Sequence, residues 1–307
     1  MTTTGNFRYI DPESFSPNSK PWSKVDADLT SFKRKTVQKP VQNIRGRESE
    51  FSSVDTAGFA VYTYPSSVPS ETFFTNDDQM IRTTYYKEIE EVLRSKLSEV
   101  KKIVIFDHTV RKREKDAPRQ PVQQVHIDQT PRAAEVRVRR HLPESEAEEL
   151  LKGRYQLINV WRPIGHPASD HPLAVIDWRS TTPADLVAVD LLYPKREAAG
   201  HLLDDDDRGK ETLPDPESAQ STEGYEVKGE TYSVAPSEKH QFFYYKDMTP
   251  NEVMFIKCYD AHSEGRPAGR KGIAALTPHT AFEDPATPAH SPGRQSIEVR
   301  CLVFYEQ

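Results

Sequence analysis

From Tyr155 onward the chain alternates short runs of β-branched and aromatic residues with turns containing Pro, Gly, Asp or Ser. The runs are YQLINVW, PLAVIDW, DLVAVDLLY, ETYSV, HQFFYY, EVMFIKCYD and SIEVRCLVFYE. Many short strands punctuated in this way predict packed sheets or a barrel rather than a parallel α/β sheet. A jelly roll, the double-stranded β-helix, fits best, because its roughly eight strands leave an open mouth. Upstream, KKIVIFDHTV reads as a further strand, and Gly58 to Tyr64 (GFAVYTY) as a strand-like island. Helical spacing governs one longer stretch. Between Asp77 and Lys101 the residues Ile81, Tyr85, Ile89, Val92, Leu93, Leu97 and Val100 fall on one helix face, and Asn76 to Asp78 offer capping side chains. A second, short helix is predicted at Glu144 to Lys152, after Pro143. The expected class is therefore mainly β: a jelly-roll core with flanking helices.

Length and composition narrow this further. A chain of 307 residues, 36% of them hydrophobic, can enclose one large core. Residues 1–57, rich in Pro, Ser and Lys, read as an extended arm that wraps a core formed by residues 58–307. The acidic, polar stretch from Lys195 to Glu230 reads as a long mobile insertion. A formal net charge of -6 argues against a general phosphate-binding surface despite the local basic run at Thr109 to Asp116, so no nucleic-acid partner is expected. Two cysteines, Cys258 and Cys301, each inside an apolar run, predict free thiols in strands. The first residues lack a basic stretch followed by an apolar one. No segment approaches the ~20 apolar residues of a membrane span. A soluble cytoplasmic protein is the expectation.

The chemistry concentrates in a few polar residues set into apolar runs. In an extended strand, residues two apart share a face, so QVHIDQ would present His126 and Asp128 together while Val125 and Ile127 face the other way. Two imidazoles and one carboxylate on one face of Fe(II) leave positions open for a bidentate oxo-acid and dioxygen. The second imidazole must come from a strand distant in sequence. His279, 153 positions later and just before the last strand, is preferred, with His240, His262 and His290 as competitors. The plainer reading of His126 and Asp128 is a polar pair on a sheet surface. In the final strand Arg294, Ser296, Glu298 and Arg300 share one face, and either they meet a ligand or the face is solvated. YQLINVWRPI places Asn159 and Trp161 together with Arg162 at the exit, and Tyr244 or Tyr245 could present a phenol to a pocket. Asp177 and Arg179 read as a structural ion pair.

Taken in order, the blocks VHIDQTP, YQLINVWRPI, PLAVIDWRS, HQFFYYKDMTPNEVMFIKCYD, TPHTAFEDP and RQSIEVRCLVFYE resemble the fungal asaB-type hydroxylase/desaturase family. That family is similar to the cephalosporin methoxylase component and to gibberellin desaturase. The resemblance spans roughly Phe59 to Tyr305. It implies dependence on Fe(II) and 2-oxoglutarate and a place in secondary metabolism. The reaction implied is hydroxylation, desaturation or oxidative cyclisation of a small molecule, with release of succinate and CO2. It implies His126, Asp128 and His279 as iron ligands, and Arg294 with Ser296 for the distal carboxylate of 2-oxoglutarate. The interval from His279 to Arg294 is longer than is common in related oxygenases, which keeps Arg300 as an alternative anchor. Asn159 is expected to serve the cofactor, and Tyr245, Trp161 and Arg162 the substrate. A homodimer packed through the amphipathic helix is compatible with the sequence. The competing reading is a cupin-like protein that binds a metal or small molecule without using 2-oxoglutarate.

Overall fold

Fourteen strands and three α-helices follow one another in the computed structural model, which describes residues 2–75, 78–115, 117, 119–195 and 220–306. Before the first helix come strands β1 (Thr2–Ile10), β2 (Trp22–Lys24), β3 (Arg34–Asn43) and β4 (Phe59–Thr63). Then follow α1 (Tyr86–Lys96), β5 (Val100–Lys112), β6 (His126–Ile127), α2 (Pro131–His141) and α3 (Glu144–Leu150). The remainder is strands: β7 (Tyr155–Pro163), β8 (Leu173–Ile176), β9 (Leu186–Pro194), β10 (Tyr225–Val234), β11 (Phe242–Tyr244), β12 (Glu252–Asp260), β13 (His279–Ala281) and β14 (Gln295–Tyr305). They build a nine-stranded sheet in the order β1-β3-β11-β8-β13-β6-β10-β9-β2 and a five-stranded sheet in the order β4-β12-β7-β14-β5.

The smaller sheet is apolar on both faces because something covers each of them. Along β7, Leu157 and Trp161 point toward the larger sheet, where they join Ala174, Val175 and Phe243. Ile158 and Val160 point the other way and pack with Val299 and Phe255 under Ile89, Val92 and Leu93 of α1. All nine residues of β7 are accordingly buried. A strand covered on both sides reads as a continuous apolar run rather than an alternating one. Cys258 and Cys301 are buried free thiols in β12 and β14, as their apolar setting predicted.

The helix expected from Asp77 to Lys101 is shorter and composite. Ile81–Tyr85 form a π-helical turn that runs into α1. The helix stops when Leu97 turns extended, and Glu99 takes a positive φ of 57° just before β5 starts at Val100. Asn76 and Asp77, two of the three expected capping residues, lie outside the described residues. α3 follows Pro143 as predicted, whereas α2 was not anticipated. The amino-terminal segment supplies sheet as well as covering. β1 and β3 pair antiparallel from Thr2↔Gln42 to Ile10↔Arg34, and Phe7, Tyr9 and Val41 belong to the main core. Most of the acidic stretch, residues 196–219, lies outside the described residues, and its final residues, from Tyr225, form the start of β10.

Candidate metal centre and its cavities

His126 and His279 are direct cross-strand neighbours, the single paired position between β6 and β13. Their ring centroids lie 4.4 Å apart. One residue beyond β6, Asp128 sets its Oδ1 at 3.3 Å from Nε2 of His126 and 3.8 Å from Nε2 of His279. One ligand atom from each of the three side chains falls within 4.8 Å of the others.

The surroundings orient all three donors. Nδ1 of His126 lies 2.7 Å from the carbonyl of Gln124, and Nδ1 of His279 lies 3.1 Å from the carbonyl of Thr277. A carbonyl only accepts, so each Nδ1 carries the proton and each neutral ring keeps the lone pair of Nε2 for an ion. Asp128 is divided between two duties. Its Oδ2 accepts from Asn159 Nδ2 at 2.9 Å and from Arg300 Nε at 3.0 Å, which leaves Oδ1 facing the imidazoles. Burial works against the charged carboxylate, but the charge of Arg300 outweighs it and holds Asp128 well below the usual carboxyl range. Two neutral imidazoles and a persistent carboxylate on adjoining strands suit a divalent first-row ion with open positions.

Two spaces flank the three side chains. A narrow cleft on the inner side is lined by all three of them and by Trp161, Arg294, Ser296 and Glu298. Arg294 is 3% exposed and hydrogen-bonds the His171 carbonyl through one terminal nitrogen at 2.8 Å, while its buried Nε has no partner among the described residues. Burial pushes this guanidinium down to about 9, and the neighbouring charge of Arg111 adds to the effect. Such a group is short of an acceptor. On the other side of His126 and Asp128 opens a cavity of about 870 Å³.

The expected site residues therefore divide. His126, Asp128, His279, Arg294, Ser296 and Trp161 are brought to one cleft. Asn159 stays inside but reaches the Asp128 carboxylate, so it positions that group. Arg300, the alternative anchor for the oxo-acid, is instead fully engaged. It donates to Asp107, Thr109, Asp128 and Glu298, and it faces the outer cavity.

Arg162 and Tyr245 require correction. Strand alternation sends Arg162 to the opposite face from Trp161, where it donates to the Pro250 carbonyl and lies 5.6 Å from the Tyr85 ring. Tyr245 donates to Glu48 at 2.7 Å under the guanidinium of Arg45, and it lines none of the spaces beside the centre. His240, a competitor for the third ligand, lies between Tyr9 and Asp185. Asp177 and Arg179 form a bidentate pair, as the structural reading held. Two participants went unnoticed in the sequence: Arg111, which shares the cleft with Arg294, and Arg137 of α2, which lines the outer cavity.

A protein-family model described as "YDMC: Oxidoreductase/YMDC permease-like domain" matches residues 7–304. "Hydroxylase/desaturase efuI" of Hormonema carpetanum is 30% identical over 293 residues, covering 90% of this chain and 86% of the relative. The chain belongs to this hydroxylase/desaturase family. Another relative within reach of it is "Fe(II)/2-oxoglutarate-dependent dioxygenase nvfI" of Aspergillus novofumigatus, 30% identical over 75% of this chain and 69% of the relative. Among solved structures, the "iron and alpha-ketoglutarate-dependent endoperoxidase NvfI" superposes with a TM-score of 0.77 at 24% identity, over 100% of this chain and 99% of the other. The shared fold is the double-stranded β-helix, in agreement with the jelly roll read from the strand pattern. Despite the family's permease-like label, no helix among the described residues is long and apolar enough to cross a membrane.

Proposed function

We propose that this hydroxylase/desaturase relative is an Fe(II)- and 2-oxoglutarate-dependent oxygenase of fungal secondary metabolism, with His126, Asp128 and His279 as the iron ligands. The observation that carries the reading is that these three donors share one cleft with a buried, under-satisfied Arg294. When bound, iron with 2-oxoglutarate and dioxygen supplies the oxidising power to remove hydrogen from an unactivated carbon, with succinate and CO2 as co-products.

The chain's own residues do the rest. His126 and His279 present Nε2 because their Nδ1 protons are held by backbone carbonyls. Asp128 presents one oxygen because Asn159 and Arg300 hold the other. Arg294 offers its planar fork to the distal carboxylate of the oxo-acid, and Ser296 adds a hydroxyl from the same face of β14. Trp161 closes the cleft beside Arg294, whose guanidinium lies 5.5 Å from its ring, and keeps water from that carboxylate.

The test is anaerobic addition of Fe(II) and 2-oxoglutarate, monitored by the weak visible charge-transfer band of a chelated oxo-acid. The band is expected in the native protein and absent in His279→Ala. In Arg294→Gln it is expected only at a 2-oxoglutarate concentration about tenfold higher or more, the loss of one charged, paired contact. Bound iron without a band in the native protein would overturn the reading in favour of a cupin that does not use 2-oxoglutarate.

A further inference from the structure

We propose that the substrate of this centre carries an anionic group and that Arg137 receives it. The inference rests on reading the centre as the place where substrate is oxidised. The outer cavity of about 870 Å³ has His126 and Asp128 in its wall, so whatever fills it lies beside the metal position. A second cavity of about 220 Å³ adjoins it, and the two share Asp128, Gln129, Arg137 and Leu191. The larger cavity alone is in the range of small-molecule sites.

The charge in this space is unbalanced among the described residues. Asp28, an acid of the wall, pairs with Arg34, while Asp107 and Asp128 pair with Arg300. Arg113 pairs with Asp170 behind the wall, and Lys24 lies 4.3 Å from the ring of Tyr225. Among the described residues Arg8 and Arg119 carry no ion pair, and the Arg119 side chain hydrogen-bonds the hydroxyl of Thr109.

Arg137 stands out even among these. It is half-buried where the two cavities join, it lies 5.5 Å from the ring of Phe106, and no hydrogen-bond or ion-pair partner exists for it among the described residues. Burial first, and then the like charges of Arg140 and Arg300, disfavour its charged form and outweigh the opposing effects of Tyr193 and Asp107. The carboxylates that line the smaller cavity with it are engaged elsewhere, Asp128 with Arg300 and both Asp190 and Glu230 with Lys20, so a half-buried guanidinium here is relieved when an oxyanion takes its open donors. The walls nearby are apolar at Leu191, Val136 and Val227, the last two 43% and 57% exposed. Taken together these features fit an apolar scaffold bearing a carboxylate, sulfate or phosphate. The scaffold would lie along these walls with its anionic end on Arg137 and a carbon beside the metal position.

Two fluorescent probes with one aromatic skeleton test this: 8-anilino-1-naphthalenesulfonate and its uncharged counterpart N-phenyl-1-naphthylamine. Each is titrated anaerobically into the full chain loaded with Fe(II) and saturating 2-oxoglutarate. Arg137→Gln is expected to weaken the sulfonate probe about tenfold or more and the neutral probe less than twofold, with Arg137→Lys recovering part of the loss. Added NaCl should weaken only the sulfonate probe. Should Arg137→Gln fail to fold, Arg119→Gln is expected to give a smaller loss, about threefold, again confined to the sulfonate. Equal losses for both probes, or none for either, overturn the proposal. Displacement of the sulfonate probe by decanoate assigns a free acid, displacement by coenzyme A alone assigns a phosphate-bearing thioester, and displacement by neither overturns the proposal. The chelation band is read on the same samples. Its absence counts against the oxygenase reading alone, whereas the probe ratio tests only the anion site.

Discussion

At the scale of single residues, Asp128 joins the two sheets. Its backbone follows β6 of the larger sheet, while Asn159 and Arg300, which hold its Oδ2, are cross-strand partners on β7 and β14 of the smaller one. Groups that orient a metal ligand typically contribute about 10- to 100-fold in metal affinity. Asn159→Leu is therefore expected to weaken Mn(II) binding by that order, as measured by titration calorimetry, while leaving the neutral-probe affinity of the outer cavity unchanged. Period-two alternation was enough to set His126 beside Asp128, and Arg294, Ser296 and Glu298 together. The same rule argues against Arg162 facing the substrate, since it directly follows the inward-facing Trp161. Arg300 escaped the rule for another reason. Its position on the inward face was legible, but its four acceptors belong to β5, β14 and the segment after β6, contacts that no local pattern records.

At the scale of elements, the far end of β12 and β7 is fastened by buried charge. Lys257, fully buried, donates to Asp55 at 2.6 Å and Asp260 at 2.8 Å, and Arg154 and Gln156 also donate to both carboxylates. The network sits at a break in register between Lys257 and Tyr259. Burial raises the Asp260 carboxyl, but Lys257 and Arg154 outweigh it and leave it at about 2, and Asp55 is lowered as well. Because both folded-state values lie below those of the unfolded chain, this stabilisation is fully present above about pH 4 and is lost as the pH falls toward 2. Denaturation midpoints in guanidinium chloride should follow that course in the native protein and lose much of it in Asp260→Asn. At neutral pH the same variant is expected to cost about 3–5 kcal/mol, because it leaves cations buried without their counterion.

Helices were less legible than strands, for reasons that can be traced. α2 begins with Thr130, whose hydroxyl accepts from Ala133 N, and with Pro131 in its first turn, and it buries Ala134 and Val138. The start signal was present in the sequence, but four arginines and a glutamate among eleven residues dilute its apolar stripe. In α1 the stripe is complete, and Leu93→Ala should cost about 2–5 kcal/mol in chemical denaturation, since that side chain is fully buried under β14 and β12.

At the scale of the whole molecule, a ligand set drawn from both ends of the jelly-roll core makes the ion a structural participant. An ion bound only by the folded chain should raise the melting temperature by several degrees at saturating Mn(II), and Asp128→Ala should abolish the rise. Gly58 belongs to the same mechanical chain. Its φ is +92°, an added Cβ would lie 2.7 Å from the Leu276 carbonyl, and its own carbonyl accepts from the Thr277 hydroxyl two residues before His279. The two-sheet architecture and the clustering of polar residues were readable from the chain, whereas the strand count was not, because β1, β2 and β3 lie in a polar arm and β6 and β13 are only two and three residues long. The order of strands across nine positions was not, because β3 and β8 flank β11 through contacts that connect distant stretches.

The pairing of His126 with His279 has a consequence for divergence among relatives. The two imidazoles meet through one cross-strand position, so the 152 residues of chain between them form a closed circuit anchored at a single stitch. Closing such a circuit depends only weakly on its length, each doubling adding about 0.6 kcal/mol. Descendants of this architecture are therefore free to lengthen, shorten or rewrite the turns along that circuit, reshaping the chamber for new metabolites while the reactive ion stays where it was.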